Sequence, residues 1–215
     1  MVPPAAGGAR RTAAVNESNR LSLESKVLRL FAAIALPDEV RAALCEVQLE
    51  LRELLSPKSA SWTRPENLHL TLRFLGPVEA GRLPELTGRL RERLASFGEM
   101  ELICEQLGCF PGSRFPRVLW TWVHDAGERL VLLHRLANEA VGGFSDKPAE
   151  ARFVGHVTIA RPKRLTRPEA EQLARFVASA ADRRFGVWNC NDVQLIQSEL
   201  SPGGSRYTTL AKIPL

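Results

Sequence analysis

Four cysteines stand in a chain of 215 residues, at 45, 104, 109 and 190, and no two of them make a CxxC pair. No histidine lies at zinc-finger spacing from them. The common thiol-based zinc and redox motifs are thereby excluded, and the four read as buried free thiols of a reducing cytoplasm. No apolar run approaches the roughly 20 residues that a membrane-spanning helix needs. Residues 1–26 lack the apolar core of a secretory signal. Their arginines and scarcity of acids match some transit peptides, but the composition is read as a disordered extension. Neither sign of charge dominates: 29 Lys and Arg against 24 Asp and Glu leave +5. That bias suits an anionic ligand without requiring one.

What is present is enough apolar residue, 45% of the chain, for one core or for two small lobes sharing a cleft. VLRLFAAIAL (27–36) reads as a buried strand. Pro37 then opens a helix on Val40, Ala43, Leu44, Val47, Leu51 and Leu54, spaced by three and four. A strand closed by Gly76-Pro77 follows. Next come a helix over 79–97 on Leu83, Leu86, Leu90, Leu94 and Phe97, and a strand near 99–107. The second half runs in the same order: a strand at 117–123, a helix at 127–141, a strand at 153–162 and a helix from Pro168. NDVQLIQSEL (191–200), the turn SPGGS and RYTTLAKI form a closing hairpin. The order predicts an α+β fold: a duplicated, two-lobed sheet architecture with pseudo-twofold symmetry, helices outside and a cleft between antiparallel sheets. Residues 27–215 are expected to form a single bilobal domain.

Histidine is scarce, four in the chain, yet two occupy equivalent places in the repeat: His69 in NLHLTLRFLG and His156 in FVGHVTIARP. Each is followed two residues later by a threonine, Thr71 or Thr158. Alternation along a strand puts each His and Thr on one face, about 7 Å apart. Imidazole is acid or base near neutral pH. In-line displacement at phosphorus needs a proton taken on one side and given on the other. Two symmetry-related histidines supply that, and the threonine hydroxyls can donate to the charged phosphate oxygens. Arg73 shares the parity of His69. Arg161 has the opposite parity to His156, so its reach depends on a bend at Pro162. Symmetry leaves open which histidine gives the proton.

HLTL (69–72) and HVTI (156–159), with LFAAIALP, WTRPENLHLTLRFLG, FPGSRFPRVLW and LSPGGSRYTTLAKIPL around them, resemble the 2H phosphoesterase superfamily. Within it the chain is similar to the bacterial and archaeal RNA 2′,3′-cyclic phosphodiesterases, also called 2′-5′ RNA ligases, over residues 27–215. Gly155 replaces the family's usual proline, and Ile159 its common leucine. The resemblance implies hydrolysis of an RNA 2′,3′-cyclic phosphate end to a 2′-phosphate, without metal or cofactor. It makes His69 the proton donor and His156 the proton acceptor. It also implies a weak reverse 2′-5′ ligation. The expected partner is RNA, with no membrane, and the chain is expected to act as a cytoplasmic monomer. Two other readings stay open: a phosphodiesterase of small cyclic nucleotides or 2′-5′ oligoadenylates, and a module that binds RNA ends without turnover.

Other residues carry weaker signals. Two histidines with hydroxyls and no nearby carboxylate or thiolate make a poor metal site. His124 and His134 read as structural or solvated. Trp62, Trp120, Trp122 and Trp188 read as core or rim. Phe110, Phe115 and Tyr207 are the better stacking candidates, with Phe115 and Tyr207 joining Arg73 and Arg161 as substrate-binding residues. Arg114, Arg117, Lys163 and Arg164 are solvated charge or, with Arg161, an RNA track.

Overall fold

The computed structural model describes residues 26–112, 115–145, 148 and 152–215. The expected extension, up to residue 25, and Arg114 lie outside the described residues. Strands and helices follow in the order β1 (Val27–Ala35), α1 (Asp38–Leu54), β2 (Ala60–Trp62), β3 (His69–Glu79), α2 (Leu83–Leu94), β4 (Met100–Phe110), β5 (Val118–His124), α3 (Arg129–Val141), β6 (His156–Pro162), α4 (Arg167–Ser179), β7 (Arg184–Cys190), β8 (Asp192–Ser201) and β9 (Gly204–Pro214). Among the described residues no helix is long and apolar enough to cross a membrane.

Each helix buries one stripe. On α1 it is Val40, Leu44, Val47 and Leu51, with Asp38 and Glu39 in the first turn, where the helix dipole favours acids. Burying such a side chain stabilises by about 1.5–3 kcal/mol relative to leaving it exposed. Helix α4 starts with a capping box between Thr166 and Glu169. The Glu169 carboxylate also accepts from Ser56 N at 2.8 Å and Ser59 Oγ at 2.7 Å, which ties the end of α1 to the start of α4. These bonds hold its carboxyl well below the usual carboxylate range.

The strands form one antiparallel sheet in the order β7-β4-β5-β6-β3-β1-β8-β9, with β2 added beside β6. Read outward from its centre, β3-β1-β8-β9 mirrors β6-β5-β4-β7, which is the pseudo-twofold relation between the lobes. Membership differs from the simple repeat in one respect. Strand β4 does not close the first unit: it pairs with β5 of the second lobe, and β8 returns to pair with β1 of the first. Sequential neighbours joined by a short connection tend to pair, and only residues 111–117 separate β4 from β5. Strands β2 and β7 have no sequence signal. The first is three residues long, and the second has a register shift against β4 that breaks its alternation.

The helices cover one face of the sheet, where Leu44, Leu86, Leu133 and Leu173 join Leu30, Ile34, Leu70 and Val157 in the main core. On the opposite face Phe31, Ala33 and Ile196 form a second small cluster with Tyr207 packed on it. Strand β3 does not stop at Gly76-Pro77. It continues to Glu79, with Gly76 at φ +81° beside a register shift against β1. Only glycine adopts that backbone without a Cβ penalty. The four cysteines are free. Cys104 and Cys190 are buried, while Cys45 and Cys109 are partly buried. Burial pushes the Cys104 and Cys190 thiols up to about 12.

Candidate active site

The lobes meet at β3 and β6, joined by the antiparallel ladder pair Leu70–Val157. Antiparallel pairing about that point sets His69 across from Thr158 and Thr71 across from His156. The two side chains of the ladder pair lie in the core, so the flanking four project onto the other face. The result is a square with histidines on one diagonal and threonines on the other. Such diagonals span roughly 7–8 Å, enough to hold one phosphate between them.

Both imidazoles are oriented alike. His69 Nδ1 lies 2.7 Å from the Asn67 carbonyl oxygen, and His156 Nδ1 lies 2.7 Å from that of Val154. A carbonyl only accepts, so Nδ1 carries a proton in each ring and Nε2 is the nitrogen left for chemistry. His69 Nε2 lies 3.0 Å from Thr71 Oγ1. Burial pushes the His69 imidazole down to about 4; the Asn67 carbonyl opposes that shift, and charge on His156 adds to it.

Aromatic rings brace each histidine. His69 packs against Phe31 at 4.8 Å and edge-on to Tyr207 at 5.4 Å between centroids. His156 stands edge-on to Phe110 at 5.2 Å and Trp120 at 6.2 Å, and these two stack on each other at 4.9 Å. His69, Thr71, His156 and Thr158 together line a cleft of about 480 Å³.

Of the other expected site residues, Arg73, Arg161 and Tyr207 line this cleft, and Phe115 does not. Both arginines line the cleft, Arg161 against its parity, because each motif strand carries a β-bulge directly after its threonine. In β3, Thr71 pairs with Ala33 and Arg73 with the adjacent Ala32. In β6, Thr158 pairs with Trp120 and Ala160 with the adjacent Leu119. The extra residue resets the alternation. Arg73 thus leaves the His69 row, is buried, and donates from Nη1 to Pro148 O at 2.7 Å. Arg161 rejoins the His156 row through the bulge at Ile159–Ala160 and needs no bend at Pro162. Phe115 is exposed on a separate hollow with Arg117, Lys163 and Arg164.

Several site residues had no place in the sequence reading. Asn67 orients His69 through its carbonyl and gives its side-chain N–H to Ser205 O at 2.8 Å, tethering the β8–β9 hairpin beside the cleft. Asn67 and Val154 both orient their histidines through backbone carbonyls, which carry no sequence signal. His134 also lines the cleft, but it is buried, stacked on Phe153 at 4.0 Å and bonded to Asn138 at 2.8 Å. A Cβ at Gly155 would stand 2.2 Å from Val123 O, so the close approach of β5 demands glycine.

The family model described as LigT like Phosphoesterase matches residues 34–120. An RNA 2′,3′-cyclic phosphodiesterase of Archaeoglobus fulgidus is 35% identical over 189 residues, covering 85% of this chain and 98% of the relative. One of Thermus thermophilus is 35% identical over 200 residues, covering 87% and 90%. A solved structure from Thermus thermophilus superposes with a TM-score of 0.70 at 30% identity, covering 87% of this chain and 98% of that one. The chain belongs to the LigT-like phosphoesterase family of the 2H superfamily.

Proposed function

We propose that this protein is an RNA 2′,3′-cyclic phosphodiesterase that opens the terminal cyclic phosphate to a 2′-phosphate by histidine acid–base catalysis. The observation that carries the reading is the matched pair of Nδ1–carbonyl bonds at His69 and His156, which leaves both Nε2 atoms for one cleft. The names of the relatives supply the substrate. Water attacks phosphorus as His156 takes its proton. The P–O3′ bond breaks as His69 gives a proton to the departing 3′ oxygen. Thr71, Thr158 and Arg161 face the non-bridging oxygens. His69 is held neutral in the free protein, so the anionic phosphate must raise its affinity for the proton on binding. The same steps with a 5′-hydroxyl in place of water join it to the cyclic end through a 2′-5′ bond as the 3′ oxygen leaves.

The scheme routes each proton through an imidazole and invokes no metal. Free thiols suit a reducing cytoplasm. The test is turnover of an oligoribonucleotide ending in a 2′,3′-cyclic phosphate, with the product isomer read by phosphorus NMR in the presence of EDTA. A 2′-phosphate is expected. Faster turnover of a cyclic mononucleotide, or of a 2′-5′ oligoadenylate, would move the substrate assignment. Binding without turnover would leave only an RNA-end module.

A further inference from the structure

Beyond Pro162 the chain enters a second hollow, of about 960 Å³, none of whose lining residues belongs to the cleft. Arg117, Lys163, Arg164 and Arg167 line it, against the single carboxylate of Glu171. Glu171 is engaged by Arg167 at 2.9 Å. Arg117, Lys163 and Arg164 are exposed, and none lies within ion-pair distance of a carboxylate among the described residues. Pro116, Leu165, Ala170 and Ala174 give the hollow an apolar floor, and the Phe115 ring stands 71% exposed at its rim.

The hollow is built on rigid backbone. Lys163 N donates to Ser59 O at 2.8 Å, Arg117 N donates to Phe110 O at 2.8 Å, and Glu169 clamps Thr166 to Ser56 and Ser59. It also adjoins the cleft. Arg161 lines the cleft and Lys163 the hollow, and two residues of chain span at most about 7 Å. Unpaired cations beside an apolar floor and an aromatic rim match what holds a single-stranded nucleic acid: phosphates on the charges, bases on the apolar surfaces.

We propose that this hollow binds the single RNA strand leading to the reacting end, so that the chain acts on oligonucleotides in preference to cyclic mononucleotides. The proposal rests on the cleft being the cyclic-phosphate site. Arg161 marks the passage between the two.

The test uses the full chain and a fluorescent 12-residue oligoribonucleotide with a plain 3′-phosphate, which is bound but not turned over. Its Kd is followed by anisotropy against salt, in wild type and in the triple variant Arg117→Ala, Lys163→Ala, Arg164→Ala. Each single-strand phosphate contact contributes about 0.7 to the slope of log K against log salt, so the variant should lose about 2 from the slope. Its affinity should fall at least tenfold at low salt, while its turnover of a cyclic mononucleotide stays within twofold of wild type. An unchanged slope would overturn the proposal, as would an equal loss on the mononucleotide. So would equally effective displacement of the RNA by polyglutamate, which would mark the hollow as an acidic-protein site. The expected slope loss with no turnover of any cyclic phosphate would leave the strand site standing and overturn the catalytic reading instead.

Discussion

The lobe around His69 and the lobe around His156 share a backbone plan and differ in what surrounds it. In both, the imidazole gives its Nδ1 proton to a carbonyl two residues back, and in both a β-bulge follows the threonine. The neighbouring strand, however, sets Ala35 and Ala33 opposite His69 and Thr71, but Trp122 and Trp120 opposite His156 and Thr158. Five residues after each histidine stands Phe74 in one lobe and Arg161 in the other. Thr71 Oγ1 bonds to its own histidine, and no such bond joins Thr158 to His156. Symmetric backbone places two imidazoles in one cleft, and their neighbours differ; on the proposed mechanism that difference divides donor from acceptor. Burial under Phe31 and Tyr207 holds His69 neutral in the free protein, and the cation Arg161 stands on the row of His156.

The sharpest way to break this division is to remove each histidine. His69→Ala and His156→Ala should each lower kcat about 10³-fold or more, and the double variant should be little worse than the poorer single. A nitrophenyl phosphodiester, whose leaving group needs no proton, should restore much of the rate to the His69 variant and little to the His156 variant. Restoration in the opposite sense would exchange the roles. Because His69 must carry the proton it gives, the limb of kcat/KM that falls as pH rises should begin near pH 4, where the His69 imidazole of the free protein loses that proton, and should vanish from the residual activity of His69→Ala.

Next in size are the threonines. Thr71→Val and Thr158→Val each remove one donor, at a cost of about 2–3 kcal/mol in kcat/KM. Thr71→Val should also shift the limb set by His69, since Thr71 Oγ1 lies on His69 Nε2, while Thr158→Val should not. Wild-type rates in both would reduce the threonines to strand residues.

Gly155→Ala tests the His156 side alone. The added methyl would strike Val123 O and Leu130, costing about 1–3 kcal/mol of stability in thermal unfolding. Because Val154 O orients His156, kcat should fall as well. A variant as stable and active as wild type would show that β5 can recede at no cost.

The smallest effect concerns acid stability. A histidine whose folded pKa is depressed to about 4 protonates first in the unfolded chain, near 6.5. Its contribution is therefore full above about pH 6.5 and is lost as the pH falls toward 4. Thermal unfolding of His69→Phe, which keeps a ring against Phe31, should show a shallower decline over that window than wild type. An identical decline would place the burial effect elsewhere.

Periodicity in the sequence determined the helices, the repeat and every strand but β2 and β7, because apolar spacing of two or of three and four follows from which face of an element is buried. It also determined the candidate pair His69 and His156, with Thr71 and Thr158, since alternation puts each His and Thr on one face. Strand partners needed the tertiary structure. The strand at 100–110 could have closed either lobe, and only packing joined it to β5 and returned β8 to β1. The bulges needed it too, because an extra residue in one strand is defined by its partner's register. That is why Arg73 lines the cleft as a buried side chain and Arg161 as an exposed one. The carbonyls of Asn67 and Val154, which choose the reacting nitrogen of each imidazole, belong to the backbone that every residue carries. Side-chain identity marks no carbonyl as an acceptor; only the bend of the chain before each motif strand does.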